Sequence, residues 1–236
     1  YGEPGSRKTS FWLEAPGPIA IFGWDQGLEG TVKRILDESP DKEIYTREFE
    51  WFPKPDDGPD DLQARAKEVL DEFEELYGRM LTTARTVVLD KETDLLNLSC
   101  YAEWGHYKGD NQRDFDKVNA RMRRIINLAK SKDVNLGCIE GMKDRWGSVL
   151  NKKSGSVGKG PTGDRERHGF KELEGLVHLS LFHDGHGPET WSMTVGKVRG
   201  PGAPELADKT FSAPALTFPE FSQLVFPESL ASDWDS

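Results

Sequence analysis

Gly2, Gly5, Lys8 and Thr9 lie within YGEPGSRKTS (1–10), close to the spacing of a loop that cradles phosphate. That pattern runs glycine, four residues, glycine, lysine, then serine or threonine; here Arg7 takes the place of the second glycine. Such a loop binds anions. Its backbone N–H groups turn inward around a polyphosphate, at the start of a helix whose dipole favours negative charge. Lys8 would neutralise the outer phosphates and the Thr9 hydroxyl would bind magnesium. Glu3, Pro4, Ser6 and Ser10 complete the stretch around the ligand. If position 7 demands positive φ, a non-glycine residue costs on the order of 1–2 kcal/mol, small beside a multidentate phosphate contact. The guanidinium would then either touch phosphate itself or block the hollow. A polar turn that only caps a helix accounts for the same residues.

The elements that must position this loop are periodic. Apolar runs at 18–25, 85–90 and 134–140 read as buried strands, and 43–51 as a more exposed one. Helical stripes cover 28–38, 61–81, 92–104 and 113–131. The alternation predicts an α/β fold with a mainly parallel central sheet flanked by helices. The segments 175–185 and 189–200 add antiparallel strands toward the C-terminus. Almost no strand precedes the loop, so the reading expects an N-terminal strand to be missing. Three of the runs end in acids, Asp25, Asp90 and Glu140, and open α/β sheets gather ligands at the carboxyl ends of their strands. Asp90 fits the magnesium shell, or a cap on the next helix. Asp25 fits a group that polarises the attacking water, or a turn residue. Glu140 fits a sensor of the γ-phosphate, or a structural acid.

With 236 residues and a net charge of −10, the chain is long enough for one sizeable core and is not coated in basic surface for duplex DNA. One stretch runs against that charge. From 147 to 169 the sequence is polar, basic and rich in Gly and Ser, and predicts a long mobile loop. Lys152, Lys153, Lys159, Arg165, Arg167 and His168 fall within it, with Trp146 and Phe170 at its flanks. Cations there would neutralise backbone phosphates and the aromatic rings would stack on bases; a solvated surface loop is the alternative. The segment 104–114 offers a second, weaker contact of the same kind. His178, His183 and His186 lack an acid-and-cysteine cluster at zinc spacing. Cys100 and Cys138 read as buried thiols of a reducing cytosol. No apolar run reaches the roughly 18 residues of a membrane span. Residues 212–236, with Phe-Pro steps and an acidic SDWDS end, predict a flexible tail beyond a domain at 1–211.

Taken in order, YGEPGSRKTS, APGPIAIFGWDQGLEG, RTVVLDKETDLL, VNLGCIEGMKDRW and GKVRGPGAPELADKTF resemble the RecA-like branch of P-loop ATPases. They are most similar to the phage-encoded RecA-like proteins of single-strand annealing and recombination. The resemblance implies ATP and Mg2+ as cofactors. It puts Gly2, Gly5, Lys8 and Thr9 on the phosphate loop and Asp90 on the magnesium-shell aspartate. Asp25 falls where the family carries a water-orienting glutamate. Glu140 falls on the polar residue that couples nucleotide to DNA. The basic segment is implied to hold single-stranded DNA. Lys197 and Arg199, in GKVRG, would reach the nucleotide of a neighbouring subunit in a ring or filament. A single-strand DNA-binding protein is an implied partner, and the cytoplasm of a bacterial host the implied location. The competing reading is a non-hydrolysing nucleotide- or DNA-binding module whose phosphate loop has degenerated at Arg7.

Overall fold

A computed structural model of the chain describes residues 1–24, 27–54, 56–107, 115–150, 157–185, 189–229 and 233–234. The first half is an alternation of helices and strands: α1 (Lys8–Leu13), β1 (Ile19–Gly23), α2 (Leu28–Glu38), β2 (Ile44–Glu48), α3 (Pro59–Thr83), β3 (Thr86–Asp90), α4 (Glu92–Trp104), α5 (Phe115–Ser131) and β4 (Asn135–Ile139). The second half is richer in strands: β5 (Gly141–Leu150), β6 (Val157–His168), α6 (Leu173–Leu176), β7 (Leu179–Asp184), β8 (Ser192–Val198), α7 (Ala203–Leu206), β9 (Thr210–Ser212) and α8 (Phe218–Val225).

The central sheet has the order β2-β1-β3-β4, and every pairing in it is parallel. β1 and β3 lie in its middle and are buried along their whole length, which is why IAIFG and TVVLD read as continuous apolar runs. Side chains alternate between the faces of a strand, and the two faces hold two cores. Ala20, Phe22, Val87 and Leu89 join Leu70, Phe73 and Tyr77 of α3, Leu95 of α4 and Met122 of α5. Ile19, Ile21 and Val88 join Leu13 of α1 and Val32 and Ile35 of α2. α3 follows from its sequence: a proline and two aspartates in the first turn suit a helix start, and Ala66, Leu70, Phe73, Tyr77 and Leu81 form its buried stripe.

β7, β8 and β9 form an antiparallel sheet. Its inner face packs with Phe11 of α1 and with Phe218, Phe221 and Val225 of α8 in a third core. The predicted flexible tail therefore contains a docked helix. Thr217 and Glu220 form a reciprocal capping box at its start, and three apolar residues on one face bury it.

The predicted mobile loop at 147–169 is also regular. β5 and β6 pair antiparallel from Gly141 opposite His168 to Leu150 opposite Val157, with a bulge between Asp144 and Trp146. Residues 151–156 lie outside the described residues. Nearly every residue of β6 is exposed apart from Gly160. Ladder hydrogen bonds define this ribbon rather than a buried face, so no apolar alternation marks it in the sequence.

The chain's first two residues join the sheets. Tyr1 N donates to Leu181 O at 2.8 Å and His183 N donates to Tyr1 O at 2.8 Å. Gly2 bridges His183 in parallel and donates from its N to Glu140 O at 3.3 Å, so this segment sits between β4 and β7. Among the described residues no helix is long and apolar enough to cross a membrane.

Candidate functional site

The loop leaves this junction at Gly2. Its φ is 155°, and a Cβ there would lie 1.9 Å from His183 O, so only glycine fits. Pro4 and Gly5 are exposed, while Ser6 is buried and donates its hydroxyl to Glu3 O at 2.7 Å. Arg7 has φ 64° and ψ 13°, the left-handed conformation. Its guanidinium lies 3.5 Å from Glu14, seven residues on at the far end of α1, so the side chain runs along the helix.

Lys8 turns back into the loop. Its Nζ donates to Gly2 O at 3.1 Å, Glu3 O at 2.6 Å and Ser6 Oγ at 3.3 Å, which uses all three ammonium donors. Burial pushes its pKa down, and the nearby Asp90 carboxylate opposes that shift. Thr9 Oγ1 donates to Asp90 Oδ2 at 2.6 Å. Asp90 is buried at the carboxyl end of β3. Two sequence-predicted metal ligands from opposite ends of the pattern thus meet. A hydroxyl and one carboxylate suit magnesium, which takes few protein oxygens and fills its octahedron with phosphate and water. Among the described residues no group of three or more His, Cys, Asp or Glu could hold a metal ion alone. Ser10 faces elsewhere, accepting from Arg34 at 2.7 Å. Asp25 lies outside the described residues. The strand before it ends at Gly23, in register with Asp90, and Trp24 N donates to Asp90 O at 3.2 Å.

Glu140 reaches the loop through its carbonyl, which accepts from Gly2 N; its side chain does something else. The carboxylate is 3.1 Å from Arg167 Nε and shares a buried cluster with Glu92. Glu92 is fully buried, Glu140 is 2 % exposed, and Phe170 N donates to Glu92 Oε2 at 3.2 Å. A Cβ on Gly169 would lie 2.0 Å from Glu140 Oε1 and 2.6 Å from Glu92 Oε2, so both carboxyls crowd one point. Among the described residues, Oε1 of each has no hydrogen-bond partner. Burial first, then the neighbouring Glu140, pushes Glu92 up to about 8. Burial also raises Glu140, against the pull of Arg167.

The basic residues divide. Lys152 and Lys153 lie outside the described residues. Lys159 is exposed on β6 and Trp146 is 67 % exposed on β5. Arg165 lies 3.1 Å from Glu3 of the loop and 3.5 Å from Asp144. Arg167 turns inward to Glu140 and to the carbonyls of Phe170 and Lys171. Phe170, expected to stack on bases, is instead 1 % exposed and packs in the main core. Lys197 is opposite Ser180 on β7, three positions before the His183 that meets Gly2, and donates to Glu174 O. Arg199 is exposed just past β8. Among the described residues, neither side chain makes a hydrogen bond or ion pair to the chain's own loop.

Two residues at the site escaped sequence reasoning. Glu92 stands two places after Asp90 and looks like an ordinary acid in a helix's first turn. His183 supports the loop from below; burial pushes it down to about 3, and it contacts Phe11 and Trp191 edge-on. The sequence reads His183 as part of a Gly-rich turn and His178 as the strand residue; the structure reverses them, with His183 buried in β7 and His178 exposed before it. No protein-family model matches the chain, and no curated protein matches it.

Proposed function

We propose that the chain is a RecA-like ATPase that binds ATP and Mg2+ at its opening loop and single-stranded DNA on the β5–β6 ribbon, serving phage-type recombination or strand annealing. The observation that carries this reading is the 2.6 Å contact between Thr9 and Asp90 beside a loop that holds Lys8 by three oxygens. On this reading phosphate oxygens would replace those three acceptors around the Lys8 ammonium. Thr9 and Asp90 would hold magnesium, which when bound offsets negative charge on the β- and γ-phosphates. Backbone N–H groups of Glu3 and of residues 5–8 would position the triphosphate, Pro4 having none to offer. Asp25, next after Trp24, would orient the attacking water. Arg7 favours an open site over a degenerate one, because its guanidinium pairs with Glu14 along α1.

The exposed cations and Trp146 of the ribbon suit a single strand, whose phosphates and base faces are both accessible. On this reading Lys197, which donates to Glu174 O, and Arg199, exposed just past β8, would act on a neighbour's nucleotide in a ring or filament. A single-strand DNA-binding protein is a further partner on this reading. The test is phosphate release with and without single-stranded DNA, for wild type and Lys8→Ala, alongside melting temperature with Mg-ATP. DNA-stimulated release that disappears in Lys8→Ala supports the reading. Equal release from both proteins ends it, and a thermal shift without release points to a non-hydrolysing binding module.

A further inference from the structure

Two arginines of β6 face the phosphate loop. Arg165 Nη1 lies 3.1 Å from Glu3 Oε1. Two residues on, Arg167 Nε lies 3.1 Å from Glu140 Oε2, and the Glu140 carbonyl accepts from Gly2 N. Alternate residues of a strand point to one side, so one face of the ribbon touches the loop region twice. The two contacts differ in access. The Arg167 side chain is 17 % exposed and that of Arg165 is 45 % exposed. Arg167 is an anchor, whereas Arg165 can exchange partners with solvent. Its other partners, Asp144 at 3.5 Å and Met142 O at 3.1 Å, belong to the ribbon and move with it. Glu3 belongs to the loop.

We propose that Glu3 is an internal competitor for Arg165: it holds this arginine on the phosphate loop, and single-stranded nucleic acid on the ribbon displaces the carboxylate to reach it. The inference rests on the nucleic-acid reading above and adds its regulation. A guanidinium meets carboxylate and phosphate with the same forked geometry, so the exchange swaps like for like. A half-exposed pair is weak enough to be displaced, since such contacts change an equilibrium by at most about fivefold. Once Arg165 leaves, Glu3 stays beside the loop without that counter-ion, on the residue whose own carbonyl holds Lys8. Ribbon occupancy thereby alters the charge felt by a triphosphate, and by linkage the triphosphate alters ribbon affinity equally.

The test is binding of a fluorescent oligothymidylate to the full chain over a salt series. It compares wild type with Glu3→Gln, Arg165→Gln, the double variant and Lys159→Gln. Freeing one cation in Glu3→Gln is expected to tighten binding by up to about fivefold at low salt and to steepen the log K against log salt slope by about 0.7. In the Arg165→Gln background the same change is expected to do nothing. Ribbon-dependent binding with an unaltered slope in Glu3→Gln overturns the latch alone. So does equal tightening with and without Arg165, which would mean simple loss of a negative charge. Absence of binding, or binding indifferent to both Lys159→Gln and Arg165→Gln, removes the ribbon's nucleic-acid role and the latch with it.

Discussion

Replacing Glu92 with glutamine should make the protein's stability less dependent on pH. Glu92 is fully buried, with Glu140 beside it and a single arginine for the two acids. Burial first, then the neighbouring Glu140, pushes its carboxyl up to about 8 from an ordinary 4.5. The folded state therefore holds a proton that the unfolded state has released over the interval between those values. A proton held only in the folded state stabilises it fully below the unfolded pKa, and the benefit is lost as pH rises through the folded one. With each unit worth about 1.4 kcal/mol, wild type should lose roughly 3–4 kcal/mol from this group between about pH 5 and 8. Glutamine keeps a donor for Glu140 and an acceptor for Phe170 N without titrating. Urea denaturation of both proteins at several pH values gives the comparison, because groups that titrate alike in both cancel. The variant should match wild type near pH 5 and exceed it near pH 8. Parallel curves, within about 1 kcal/mol, would show that Glu92 is not carried as the neutral acid. A variant less stable at every pH above the carboxylate range would show that it is an anion serving Arg167.

Arg167→Ala should lower stability by about 3–5 kcal/mol, since it leaves Glu140 buried without its counter-ion; a change under about 1 kcal/mol in the denaturant midpoint would show that water already solvates that carboxylate. Trp146→Ala should weaken oligothymidylate binding roughly 5- to 100-fold, from the stacking energy of one base. Its melting temperature should not move, because the ring is 67 % exposed and supports no core; unchanged binding would take Trp146 out of the interface.

How much of this could be read from the sequence depends on what each residue is buried against. The helix at 28–38 and the strands ending at Asp90 and Ile139 appear where the periodicity puts them, since both sheet faces are covered and impose apolar runs. Lys8, Thr9 and Asp90 were legible for a related reason: a fixed loop spacing and a strand end each put a side chain at the same edge of the sheet. The ribbon was not, because an exposed strand pair has no apolar face to display. α8 was missed although Thr217, Pro219 and Glu220 spell a helix start; the repeated Phe-Pro steps suggested irregular chain instead. The Glu92–Glu140–Arg167 cluster draws on α4, the end of β4 and β6. No linear spacing relates three elements that meet only once the ribbon folds over the sheet.

Arg7 stands where the loop pattern has glycine, and the structure gives the position a reason to carry a side chain. A left-handed arginine costs about 1 kcal/mol or more, and glycine would avoid that cost. Glycine would also remove the contact to Glu14, whose other carboxylate oxygen accepts from Phe218 N at 3.3 Å. Arg7, Glu14 and Phe218 thus connect the loop to the first residue of α8, just as Arg165 and Glu3 connect it to the ribbon. Burial raises the Glu14 pKa, with the Phe218 amide and Arg7 pulling it back. The guanidinium therefore opposes the effect of burial on that carboxyl. The loop is held from two sides by side-chain ion pairs, while its Gly2 and Ser6 amides donate to Glu140 O and Glu3 O. An arginine at position 7 then acts as a strut between the opening loop and the C-terminal helix, and the strain at its backbone is the cost of that connection.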